Sequence, residues 1–223
     1  MKSGNLRRAT CLMVASCLLA PPQAGAAPQA QATLGELNRQ LRLGDVVFIH
    51  VTPRPFKEIS RVTRSWVNHV GIVTRVDGGE ARIAESTFPF SRMTSLSAFA
   101  ARSEGGRLAV ARLPRPLSNT ETHALAAATR TRLGIRYDTG FDLHSRGQYC
   151  SRFVHEILRD ATGEAVGEVE TFQALLARNP EAGLGFWRLW FLGRIPWQRQ
   201  TVTPASLYRS TRLLPVFDGK VLP

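Results

Sequence analysis

The chain has 223 residues, a formal net charge of +12, 43% hydrophobic residues and three cysteines. That composition excludes collagenous, low-complexity and disulfide-framework proteins, and the length suffices for one domain with a substantial core. Only three of the 29 basic residues are lysine (Lys2, Lys57, Lys220), and no nucleic-acid-binding motif is present, so anionic envelope polymers or phospholipid headgroups are the partners that such charge suits.

Residues 1–26 read as an export signal. Lys2, Arg7 and Arg8 form a basic start, and Ala9 to Ala20 an apolar run too short to span a bilayer. Pro21-Pro22 break the run, and Ala24-Gly25-Ala26 offer small residues for cleavage before Ala27. A second reading competes: Val14-Ala15-Ser16-Cys17 resembles a lipobox, with Cys17 as the lipidated residue. Leu18, Leu19 and Ala20 carry the apolar run past Cys17 and favour soluble export. Either reading predicts an exported protein, periplasmic or extracellular, anchored as a lipoprotein in the second case. Removing residues 1–26 takes three basic residues and no acidic one from +12, leaving +9.

Residues 27–42 are expected to hold a flexible lead-in and a short helix, with Thr33 and Glu36 as a capping box. The rest of the chain, 43–223, is expected to be one catalytic domain. Val46 to Val51 is apolar enough for a central strand, ended by Pro53 and Pro55. Phe56 to Trp66 reads as a short helix or ordered loop. His69 to Val76 and Glu80 to Ser86 read as a hairpin about Asp77-Gly78-Gly79. A two-residue loop would put His69 and Glu85 on opposite faces of the sheet. A three-residue loop, or a bulge, would put them on one face.

Ser95 to Arg102 predicts a short helix and Arg107 to Leu113 a strand. Ser118 with Glu121 caps a helix running to about Leu133. Residues 134–148 form a glycine-rich loop, long enough to suggest a functional role. It leads into a helix from Cys150 that buries Phe153, Val154, Ile157, Leu158 and Ala161 and ends near Gly163. A helix from Val169 to Arg178 follows. Residues 186–197 hold three of the four tryptophans. They read either as a peripheral membrane contact or cleft wall, or as a helix covering the core. A short helix from Thr203 to Tyr208 and a strand from Leu213 to Phe217 close the chain.

Cys150 is the only cysteine beyond the leader region. Most free cysteines are buried core residues. A cysteine in the first turn of a helix is different, because the positive end of the helix dipole favours the nucleophilic thiolate. His69 enters one strand and Glu85 ends the next. A thiol, an imidazole and a carboxylate on separate short elements point to cysteine-hydrolase or acyltransferase chemistry. Tyr137 and Tyr149 are candidate cleft residues, with core packing an equal reading for Tyr149. His50, His123 and His155 read as solvent-facing, and His144 sits in the loop. No spacing of ligands suggests a metal, and no cofactor is expected.

Several segments, in order, resemble one family: Leu43-Gly44-Asp45-Val46-Val47-Phe48, Asn68-His69-Val70-Gly71-Ile72-Val73, Ala84-Glu85-Ser86, Gly134-Ile135-Arg136-Tyr137-Asp138, Tyr149-Cys150-Ser151 and Thr203-Pro204-Ala205-Ser206-Leu207-Tyr208. Together they are similar to the permuted papain-like amidases of the YiiX/YebB type, in the NlpC/P60 superfamily. The resemblance implies an α+β papain-like fold, with a small antiparallel sheet packed against the nucleophile helix. It implies Cys150 as nucleophile, His69 as base and Glu85 as the third polar group. It leaves the substrate open between a cell-envelope peptide, such as a peptidoglycan stem peptide, and an acyl lipid. A papain-like scaffold that binds an envelope ligand without turnover is a third reading, which the presence of all three residues disfavours. Arg152 departs from the family's usual acidic residue after Cys-Ser.

Overall fold

The computed structural model describes residue 1, residues 30–76 and residues 78–222. The expected leader, with Cys17, and Asp77 of the expected turn lie outside the described residues. The elements in order are β1 (Ala30–Thr33), α1 (Leu34–Gln40), β2 (Val46–Ile49), α2 (Arg54–Thr63), β3 (His69–Arg75), β4 (Arg82–Glu85), β5 (Arg92–Ser95) and α3 (Leu96–Ala100). Then come β6 (Arg107–Arg112), α4 (Asn119–Arg130), α5 (Cys150–Thr162), β7 (Val169–Thr171), α6 (Phe172–Ala177), α7 (Gly185–Trp190), β8 (Gln200–Val202), α8 (Pro204–Tyr208) and β9 (Leu214–Leu222).

Seven strands form one sheet in the order β1-β9-β6-β2-β3-β4-β5, and β7 pairs with β8 separately. Within the large sheet every neighbouring pair is antiparallel except β1 with β9. The architecture is α+β. Successive strand residues point to opposite faces, and both faces are covered. Val46, Phe48, Val70, Ile72 and Ala84 pack with Phe153, Val154, Ile157 and Leu158 of α5 and Leu125 of α4. Val47, Ile49, Val73 and Ile83 pack with Leu37 of α1 and Leu96 and Phe99 of α3. Cover on both faces is why β2 reads as an unbroken apolar run rather than an alternating one.

Local signals placed most helices well. Both expected capping boxes form, Thr33 with Glu36 and Ser118 with Glu121. Long-range pairing corrected three boundaries. The lead-in is not a loop throughout, because Ala30–Thr33 runs parallel to Gly219–Leu222 as an edge strand. A side chain at Gly219 would strike the Ala30 carbonyl. The helix expected from Val169 starts later, since Val169–Thr171 pairs with Gln200–Val202 and Thr171 then caps α6. The last strand extends to Leu222, well past Phe217.

The β3–β4 hairpin decides the site. Next to the turn, Arg75 pairs with Arg82, which is the register that a two-residue loop would set. Beyond the bulge between Val73 and Arg75, Val73 pairs with Ile83 and Ile72 with Ala84. That is the register of a three-residue loop, and continuing it brings Glu85 opposite Gly71 and diagonal to His69. The extra residue thus switches His69 and Glu85 onto a common side. Gly71 is required there: a Cβ would lie 2.5 Å from Ile83 Cγ2 and 3.0 Å from the Phe99 ring. Asn68 sets the entry to β3. Its side-chain amide donates to Val51 O (3.0 Å) and its Oδ1 accepts from Val51 N (2.7 Å), which adds a rung to the ladder beside His69.

Candidate active site

Cys150 is the first residue of α5, and Tyr149 before it makes no side-chain cap bond. The donors of the first turn are therefore not taken up by a capping side chain, and the dipole adds positive potential there. Gly163, in the left-handed conformation, ends the helix at its other end. Apolar contacts of α5 with β3 and β4 hold its start against the end of the hairpin.

His69 Nε2 lies 2.6 Å from Glu85 Oε2, with both side chains at most 1% exposed. A carboxylate only accepts, so Nε2 carries the proton and donates. Nδ1 is left for the opposite side of the ring, where it is buried and makes no ordinary hydrogen bond. Cys150 acts on this ring electrostatically and favours its protonated form. Burial alone would lower the imidazole's proton affinity. The Cys150 and Glu85 contacts outweigh it and raise the pKa to about 9. Burial likewise opposes ionisation of Glu85, but His69 and Arg102 hold its pKa down at about 2. Ring and acid thus meet as a buried pair, and Cys150 acts on the ring's titration. Cys150 is 3% exposed, so the nucleophile is reached past its neighbours rather than from open solvent.

Three features here were not visible in the sequence. Glu85 is also held by Arg102, whose Nη2 donates to Oε2 (2.7 Å), and by Arg92, whose Nε donates to Oε1 (3.3 Å). These come from β5 and the end of α3, and no local pattern joins them to β4. Phe56 of α2 sits edge-on to the His69 ring and against Tyr137, with centroids 6.0 and 6.3 Å away. Arg152 does not face the cleft. Its Nη1 donates to the carbonyls of Asp142 (3.2 Å), Ser145 (2.9 Å) and Gly147 (2.9 Å), and its Nε to Glu156 (2.9 Å). The residue that departs from the family pattern is a staple for the loop before Cys150.

The two tyrosines differ. Tyr137 places a buried, unpartnered hydroxyl near Cys150; burial, and then the neighbouring Cys150, raise its pKa well above the ordinary tyrosine value. Tyr149 is fully packed. Its hydroxyl accepts from Val202 N and from Thr201 Oγ1, each at 3.1 Å, and so ties α5 to β8 instead of lining open space. His155, expected in solvent, is 5% exposed, and its Nδ1 meets Val166 O at 2.7 Å. The chain after Gly163 folds back over α5 and covers it. His123 and His144 are exposed. His50 bonds to Trp66 O and pairs with Glu104 (3.2 Å).

Two cavities flank the cluster. One of about 650 Å³ is lined by His69, Phe56, Phe88, Arg92, Arg102 and Glu104. The other, of about 370 Å³, is lined by Tyr137, Phe88, Arg136, Thr139 and Arg146. Phe88 is common to both. A groove crossing Phe88 would therefore pass His69 on one side and Tyr137 on the other.

A family model of permuted papain-like amidase enzymes (YaeF/YiiX, C92 family) matches residues 40–217. The chain belongs to this family. It is a cysteine-dependent hydrolase of the amidase or peptidase kind. It is 25% identical over 177 residues to the uncharacterized protein YiiX of Escherichia coli strain K12, covering 79% of this chain and 86% of that protein. The crystal structure of YiiX from Escherichia coli O157:H7 superposes with a TM-score of 0.72 at 24% identity, over 81% of this chain and 99% of the other. The permuted papain-like fold is thereby established. That E. coli protein is described as a metalloprotein. In this chain no group of three or more His, Cys, Asp and Glu side chains among the described residues is placed to hold a metal ion. The Glu85 carboxylate, moreover, is held by two guanidinium groups that oppose a further cation.

Proposed function

We propose that Cys150 is the nucleophile, His69 the general base and then acid, and Glu85 the group that orients the ring. In this reading Cys150 and His69 rest as a thiolate–imidazolium pair, the thiol proton already on Nδ1, and the thiolate attacks the substrate carbonyl. The tetrahedral oxyanion takes hydrogen bonds from the first-turn N–H groups of α5, with the Tyr137 hydroxyl as a further donor. His69 then gives its proton to the leaving amine, and the amide C–N bond breaks. Water, deprotonated by His69, cleaves the thioester, releasing the acid and restoring the thiolate–imidazolium pair. The observation that carries the reading is the buried 2.6 Å His69–Glu85 pair, which leaves one ring nitrogen for the thiol side. Three ionisable groups kept out of water at one helix start are costly to folding unless they do chemistry.

The substrate proposed is an amide in a cell-envelope peptide, with peptidoglycan stem peptides the leading class, met after export to the periplasm or beyond. A lipid thioester or ester is the second reading, favoured by the apolar residues exposed near the second cavity. The test has two arms. A cysteine-directed probe at neutral pH should label wild-type protein rapidly at Cys150, and Cys150→Ala should lose that rapid label. Labelling no faster than that of a free thiol would end the nucleophile assignment. Muropeptides and acyl lipids offered side by side, with products identified by mass, separate the substrate classes.

A further inference from the structure

Residues 186–197, which read as a membrane contact, a cleft wall or a cover for the core, divide into a buried part and an exposed part. Trp187 is 1% exposed and packs against Phe141, Phe172 and Phe191, so it belongs to the core. Leu189 (76% exposed), Leu192 (90%) and Trp197 (42%) stand in solvent. Leu192 lies in the left-handed conformation (φ 50°), followed by Gly193 (φ 85°), which turns the chain sharply. A leucine held in a disfavoured backbone conformation and fully displayed to water is doubly unfavourable, and its display calls for a partner.

The surroundings indicate which partner. Residues 184–200 contain no acidic residue. Arg188 and Arg194 flank the tip, are exposed, and have no ion pair or side-chain hydrogen bond among the described residues. Apolar side chains between unpaired cations match an anionic lipid interface, where the first enter the acyl boundary and the second meet phosphates. The tip also adjoins the candidate cleft. Trp190 Nε1 donates to Thr139 O (2.9 Å), and Thr139 lines the cavity that contains Tyr137 and Phe88. Arg54, next to Pro53 of the other cavity, stacks over Phe186 at 5.6 Å.

We propose that the end of α7 and the turn after it form a membrane-docking element, with Leu189 and Leu192 entering an anionic phospholipid surface, Arg188 and Arg194 pairing with its phosphates, and the cleft rim held against that surface. This stands independently of the catalytic assignment.

The experiment uses the full chain with vesicles containing phosphatidylglycerol, or phosphatidylcholine alone, carrying bromine in the acyl chains. The tryptophans are Trp66, Trp187, Trp190 and Trp197, with none in residues 1–26, so quenching reports on the folded domain whatever the leader does. Anionic vesicles should quench the emission. L189D/L192D should abolish quenching while keeping the wild-type circular dichroism and melting temperature. R188Q/R194Q should weaken vesicle affinity by about thirtyfold, as expected for two basic residues at an anionic surface. Absence of quenching on anionic vesicles would overturn the proposal. So would equal quenching on neutral ones, unchanged quenching in L189D/L192D, or capture by peptidoglycan sacculi without vesicle binding.

Discussion

Two regions of this molecule reverse the usual rule of solvation in opposite directions. At the start of α5, an imidazole and a carboxylate are kept almost entirely out of water beside a buried thiol. At the end of α7 and in the turn after it, two leucines are kept largely in it. Folding alone favours neither arrangement, since buried charge must be paired and exposed apolar surface gains nothing. The first region resolves its cost internally, through Glu85 with His69, Arg92 and Arg102. The second has no internal partner. The contrast separates a site complete within the chain from a surface that needs something outside it.

The sharpest way to break the first half of that contrast is Cys150→Ala. On the proposed mechanism kcat/KM falls by about 10⁴-fold or more, with the melting temperature nearly unchanged. Residual activity within tenfold of wild type would remove Cys150 from the chemistry.

Glu85→Gln tests whether the buried charges support one another. It leaves Arg102 and Arg92 facing a neutral amide and should cost about 3–5 kcal/mol in denaturant unfolding. The pH dependence has a definite sign. Glu85, held down to about 2 from 4.5, contributes stability above pH 4.5 that is lost as pH falls through 2. His69, raised from 6.5 to about 9, contributes stability below pH 6.5 that is lost as pH rises through 9. The variant should flatten the acid slope and shrink the alkaline one, which thermal melts between pH 2 and 10 would reveal.

Arg152→Ala removes the staple on the loop and should destabilise by about 2 kcal/mol, with new proteolytic cleavage at residues 138–147. An unchanged digestion pattern would mean that the loop is held by other contacts. Arg102→Gln removes a cation from the acid that serves His69. The imidazolium is then better stabilised, and the alkaline limb of the kcat/KM profile should move up by about one unit. A fall in rate with no movement of that limb would make Arg102 a purely structural residue. The smallest effect on the folded state belongs to L189D/L192D. Its unfolding free energy should stay within about 0.5 kcal/mol of wild type and turnover of a small soluble substrate should be unchanged. A larger loss would show that the tip is supporting the core.

Much of the site was legible locally. Cys150 at a helix start, His69 entering one strand and Glu85 ending the next are one-dimensional patterns, as are both capping boxes. The two readings of Tyr149 could not be separated, because a tyrosine beside a nucleophile looks the same in sequence whether its hydroxyl faces a cleft or, as here, the β8 backbone. His155 was misplaced because its cover comes from residues beyond the helix end, not from the face that helical periodicity reports.

What the amino-acid order determines by itself is short-range. Periodicity, caps and turn residues set most elements, and the permuted order of histidine before cysteine is simply read off. Tertiary structure decided what depends on partners distant in the chain. It set the bulge between Val73 and Arg75 that turns Glu85 toward His69, the arginines that meet at Glu85, the edge strand made by Ala30–Thr33, and the leucines left without cover. The division has a physical cause. Hydrogen bonds within a turn of helix involve neighbours a few residues away, whereas strand register and burial depend on which distant segments meet.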